Sequence, residues 1–140
     1  MKNVIALFAL VTALTFSSCN SQKVIDKTIS LLSSKTWELN TLGGKSLDAK
    51  VFADGLPTLN FLQGNRITGN TGCNDLKSTF KLEKKSFSMT PAATTKKACQ
   101  GGGEALFLSA LNKVKNIKVV GDKLTLLDEK KDEVMSFMSK

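Results

Sequence analysis

Three cysteines, at positions 19, 73 and 99, are the residues of this 140-residue chain whose type and spacing bear most directly on chemistry. Cys73 and Cys99 lie about 26 residues apart, each among small residues and turn formers: Gly72-Cys73-Asn74 and Ala98-Cys99-Gln100-Gly101. In an oxidising compartment a bridge between them would close a loop worth about 3–4 kcal/mol in chain entropy. The alternative is two buried, unpaired thiols packed as small hydrophobes. Residues around them set limits. The chain has no histidine and no tyrosine, so the usual general base for a Ser or Cys nucleophile and the commonest transition-metal ligand are both missing. Two cysteines without histidine cannot complete a zinc site of four N/S ligands, and no acidic group has calcium-loop spacing. Serine and lysine are abundant, but no motif pairs them. The expectation is a non-enzymatic protein with no catalytic residue, no metal and no cofactor.

Cys19 has a different setting. Lys2 precedes an apolar run from Val4 to Phe16, followed by Ser17-Ser18-Cys19. This is the order of a signal peptide, and the run is too short and too interrupted by Thr12 and Thr15 for a spanning helix of about 20 apolar residues. Phe16-Ser17-Ser18-Cys19 resembles a lipobox, with Phe16 where Leu is usual and Ser18 where Gly or Ala is usual. A plain signal peptide with a coincidental cysteine is the competing reading. The expected organisation is therefore a lipoprotein signal peptide over 1–18, a lipid-anchored tether over 19–34 with attachment at Cys19, and one folded domain over 35–140. The expected location is the cell envelope, facing the periplasm or the cell exterior. Of the net charge of +8, only Lys2 belongs to the leader. For an exported basic protein the long-range partner is anionic lipid rather than nucleic acid. Lysines scattered as Lys84-Lys85, Lys96-Lys97 and Lys130-Lys131 read as a solvated surface.

Short strands must position the cysteines. Thr36 to Leu42 alternates and ends at Gly43-Gly44; Thr58–Leu62 and Arg66–Gly69 flank the Gly64-Asn65 turn; Thr79–Glu83 and Ser86–Met89 flank Lys84-Lys85. Ile117–Val120, Leu124–Leu127 and Val134–Met138 form a closing meander. Only Glu104 to Lys115 reads as a helix, with Phe107, Leu108, Leu111 and Val114 on one stripe. Gly101-Gly102-Gly103 before it reads as a flexible lead-in, since it lacks the Lys-Ser/Thr ending of a phosphate loop. The fold class is α+β, dominated by an antiparallel sheet.

Ile67-Thr68-Gly69-Asn70-Thr71-Gly72-Cys73-Asn74 with Ser78-Thr79-Phe80 resembles the signature of the META domain, the HslJ-like family of heat-shock lipoproteins. Trp37-Glu38-Leu39 is similar to the family's opening strand, Thr95 through Ala98-Cys99 to its second motif, and the helix and last strands follow in order, over nearly all of residues 35–138. Pro91-Ala92-Ala93-Thr94 is an insertion relative to the pattern. The resemblance implies a curved, partly open antiparallel barrel with one packed helix, and Gly69, Gly72, Cys73, Asn74, Thr95, Ala98 and Cys99 as motif residues. It implies no activity; relatives are linked with stress response, antibiotic tolerance and secretion.

Read physically, Gly69 and Gly72 bend the backbone between two strands and Asn74 satisfies turn N–H groups, a scaffold role. The two motifs would bring Cys73 and Cys99 to the same part of the sheet. The expected function is a non-catalytic, lipid-anchored envelope protein that supports envelope integrity or export under stress, with an envelope protein as partner. The second reading is a binding module whose open barrel mouth takes an acyl chain, a hydrophobic peptide or the tail of a secretion component.

Overall fold

A computed structural model describes residues 19–84 and 86–140; the expected signal peptide, residues 1–18, and Lys85 lie outside them. In chain order the elements are α1 (Cys19–Ser33), β1 (Thr36–Leu42), β2 (Lys45–Ser46), β3 (Thr58–Leu62), β4 (Arg66–Asn70), β5 (Asp75–Glu83), β6 (Ser86–Met89), β7 (Ala93–Thr94), α2 (Gly103–Leu111), β8 (Asn116–Val120), β9 (Lys123–Leu127) and β10 (Glu133–Ser139). Neighbouring strands run antiparallel in the order β10-β9-β8-β6-β5-β4-β3-β1, and β10 also pairs with β1. Eight strands thus close into a barrel.

Closure corrects the expectation of a partly open barrel. The first and last long strands pair from Trp37↔Ser139 to Leu42↔Met135, with one register shift between Leu39 and Thr41, so neither is left as a free edge; closing a sheet on itself is the one arrangement that removes such edges. The short strands sit outside the ring: β2 pairs with the end of β1, and β7 continues along β5 where β6 stops.

The expectation of a single helix is corrected as well. Residues 19–34 were expected to form a polar tether, yet they form α1, because Ile25, Ile29 and Leu32 recur at i, i+4 and i+7 and share one face. Leu32 is fully buried. The indole N–H of Trp37 donates to its carbonyl at 2.9 Å, satisfying one of the helix's terminal acceptors. The core therefore begins before Lys35. At the barrel end where β1 starts and β3 and β8 finish, α1 lies against β3 and β8. At the opposite end α2 packs on β10, with the Phe107 and Phe137 rings edge to face at 6.4 Å. α2 is shorter than its periodicity suggests; it stops at Leu111, and the turn that follows still buries Val114.

Between these caps the barrel is filled. Trp37, Leu39, Leu59, Phe61, Ile67, Leu76, Phe80, Phe87, Leu124, Leu126, Met135 and Phe137 point inward and are buried, each worth about 1.5–3 kcal/mol relative to exposure. Phe61 meets Phe80 edge on at 5.4 Å, and Phe80 stacks on Phe87 at 5.8 Å, geometries that suit the ring quadrupoles.

Candidate functional site

The motif residues converge at the α2 end of the barrel, where β4 turns into β5 through Thr71-Gly72-Cys73-Asn74. Gly69 lies within β4 opposite Leu59. A Cβ there would sit 2.0 Å from the Thr58 carbonyl oxygen, so its role is close strand approach rather than the expected bend. Gly72 carries the bend, at φ +97°. Its N–H donates to Asn70 Oδ1 at 2.8 Å, and the Asn74 N–H donates to Thr71 Oγ1 at 2.9 Å. The turn-satisfying role expected of the Asn74 side chain thus falls to Asn70 and Thr71.

Asn74, almost fully buried, reaches across to two other segments. Its Oδ1 accepts from Thr95 Oγ1 at 2.7 Å and from the Lys97 N–H at 2.8 Å. Its Nδ2 donates to Glu104 Oε2 at 3.0 Å and lies 3.2 Å from the Lys97 carbonyl. The other Glu104 oxygen accepts from Thr71 Oγ1 at 2.8 Å. Beside this network Cys73 and Cys99 are joined by a disulfide, their Cα atoms 5.9 Å apart. Cys73, Asn74, Thr95, Cys99 and Glu104 therefore meet at one corner, with Ala98 exposed next to the bridge and Gly69 set back in the strand. The Pro91–Thr94 insertion forms the bend into β7, which pairs Thr94 with Leu76 and Ala93 with Lys77.

Two members of the corner escaped sequence reading. Thr71 is inside the motif, but a threonine there carries no sign of being fully buried and bonded to a helix. Glu104 reads from the sequence only as the first residue of a helix, where an acid is favoured by charge whether or not anything faces it. Chemically, the corner spends its polar atoms on itself: no buried side-chain N or O among the described residues lacks a partner.

A separate cleft of about 210 Å³ opens outside the barrel, between α2 and the β6–β7 bend. Met89, Ala92, Leu108, Leu111 and Val114 give it apolar walls, and Ser88, Asn112 and Lys115 are polar residues of its lining. Among the described residues β6 and β8 share one register pair, Ser86↔Asn116, and the cleft lies where they diverge. A binding site in an open barrel mouth is not what the fold provides: helices cover both ends, and Trp37, Phe61, Phe80, Phe107 and Phe137 occupy the interior.

Comparisons with known proteins agree with this architecture. The META domain family model matches residues 30–140. A crystal structure of a DUF4847 family protein from Bacteroides vulgatus superposes with a TM-score of 0.59 at 14% identity, covering 79% of this chain and 96% of that one. An NMR structure of a protein from Burkholderia xenovorans gives a TM-score of 0.61 at 19% identity, covering 81% and 87%. Another NMR structure gives 0.59 at 18% identity, covering 79% and 92%. These likenesses show the fold. No match is found among curated proteins.

Proposed function

Because this chain belongs to the META domain family, whose domains are small and non-catalytic, we propose that it is a lipid-anchored envelope protein that acts by docking rather than by chemistry, supporting envelope integrity or export under stress. The observation that carries the anchor is the sequence Phe16-Ser17-Ser18-Cys19, whose cysteine is the first residue of α1, the helix that packs on the barrel. A lipid on Cys19 would hold the folded domain near a membrane, and the net positive charge would favour an anionic surface. Mass spectrometry of the mature N-terminus tests this. The expected result is a chain beginning at a diacylglyceryl-modified Cys19, with Cys19→Ala released from the membrane fraction. An unmodified Cys19, or a mature start elsewhere, would overturn it.

A second reading is favoured by one observation, the half-apolar, half-polar cleft beside α2. Its Met, Leu and Val walls with Lys115 nearby suit an acyl chain whose carboxylate meets the ammonium. Lipid recovered by mass spectrometry after denaturing extraction of the purified protein would support it, provided Leu108→Asp loses that lipid while keeping the fold. Equal recovery from both proteins would count against it.

A further inference from the structure

We infer that the Cys73–Cys99 corner is a redox-gated metal site: when a dithiol opens the disulfide, the two cysteines together with Asp54 and Glu104 form a tetrahedral site for a zinc-type divalent ion. A carboxylate oxygen of Asp54 and the sulfurs of Cys73 and Cys99 all lie within 4.8 Å of one another. Glu104 stands outside this group of three: its Oε2 lies 3.4 Å from Cys99 Sγ, and its carboxylate must move inward to become the fourth ligand. These four side chains line the same crevice, of about 10 Å³, close to the volume of one water-sized sphere. The donors come from four parts of the chain: the β2–β3 loop, the β4–β5 turn, the loop after β7, and α2.

The chemistry of the donor set selects the ion. Two thiolates and two carboxylates suit zinc, which binds sulfur at about 2.3 Å and carboxylate oxygen at about 2.0–2.2 Å in a tetrahedral arrangement. Oxygen donors complete the shell that two cysteines alone could not. The second-shell supports are already present, since Thr71 and Asn74 each hold one Glu104 oxygen and the Gln100 N–H donates to Asp54 Oδ2 at 3.0 Å.

The gate is the sulfur–sulfur bond. Thiolate is the metal ligand, and in the disulfide each sulfur is committed to the other. A dithiol attacks one sulfur to give a mixed disulfide. Its second thiol then closes the cyclic disulfide and releases Cys73 and Cys99 as thiols, so the dithiol is oxidised by two electrons and the protein reduced by two. Zinc takes the place of the two thiol protons, which leave to solvent.

The test uses the full chain carrying Cys19→Ser, so that only Cys73 and Cys99 react. Oxidised and dithiol-reduced protein, freed of reductant without air, compete for Zn²⁺ against a chromophoric zinc indicator, with circular dichroism recorded on the same samples. The reduced protein is expected to bind one zinc per chain and the oxidised protein none. Asp54→Asn is expected to weaken binding at least about tenfold, and Co²⁺ should give thiolate-to-cobalt charge-transfer absorption only after reduction. Equal zinc uptake by both redox forms, or wild-type affinity in Asp54→Asn, would overturn the inference. Should reduction loosen the barrel, zinc restoring the folded spectrum supports the site and failure to restore it overturns the site.

Discussion

Glu104 on α2 and Asn74 in the β4–β5 turn are bonded side chain to side chain, Oε2 accepting from Nδ2 at 3.0 Å. The bond fastens a helix to the strand turn at the end of the barrel. Asn74→Ala would strand the Lys97 N–H and one Glu104 oxygen, and leaving such groups unsatisfied costs about 1–3 kcal/mol each. Denaturant unfolding of Asn74→Ala, Glu104→Ala and the double variant should give a coupling energy of about 1 kcal/mol or more. Strict additivity would show that the two residues do not act together.

Gly69 permits no side chain. A methyl group there would sit 2.0 Å from the Thr58 oxygen, and the obstacle is backbone rather than a side chain that can rotate away. Gly69→Ala should lower stability by about 3 kcal/mol or more, at the upper end of overpacking costs. Gly64→Ala is the comparison: nothing lies within 4 Å of that position, though its φ of +72° still imposes some strain. A smaller loss at Gly69 than at Gly64 would refute the close-approach explanation.

Loss of the Cys73–Cys99 bridge should cost about 2–5 kcal/mol, the usual range for a native disulfide in a small domain. Calorimetry of Cys73→Ser and Cys99→Ser under metal-free conditions checks this. Reductant should destabilise the parent protein and leave both variants nearly unchanged.

Acid should weaken the α1 end of the barrel by a defined route. The Lys35 ammonium bonds to the Asp122 carboxylate and Ser139 Oγ adds a second bond, so the Asp122 pKa lies below its ordinary value of 3.8. A folded-state pKa below the unfolded one means that the contribution is present above about pH 3.8 and is lost as pH falls through the lowered folded value. An NMR titration should find the Asp122 carboxyl protonating below 3.8 in the parent and closer to it in Lys35→Met. Identical titration in both proteins would assign the depression to some cause other than Lys35.

Much of this was legible in the sequence because period-2 alternation survives folding unchanged. Trp37 and Leu39, Leu59 and Phe61, and Leu124 and Leu126 all point inward as their spacing requires. Barrel closure was not legible, because the pairing of Trp37 with Ser139 joins the two ends of the domain and no local pattern encodes it. α1 was hidden for another reason. Its stripe of Ile25, Ile29 and Leu32 is thin among polar residues, and only the indole of Trp37 and the end of the barrel give it a surface to cover. At the corner, residue types identified Cys73, Asn74 and Cys99. Their convergence with Glu104 depends on where α2 is laid down, which spacing along the chain does not specify.

The short β6–β8 contact also has a dynamic meaning. A closed ring breathes where the fewest bonds must break together. Among the described residues that means one register pair and the Phe87 N–H bonded to the Lys115 carbonyl at 2.8 Å, against five paired residues between β8 and β9. Opening at this seam costs far less than unfolding the whole barrel, so the Phe87 amide should exchange its hydrogen through a local event while the amides between β1 and β10 wait for global unfolding.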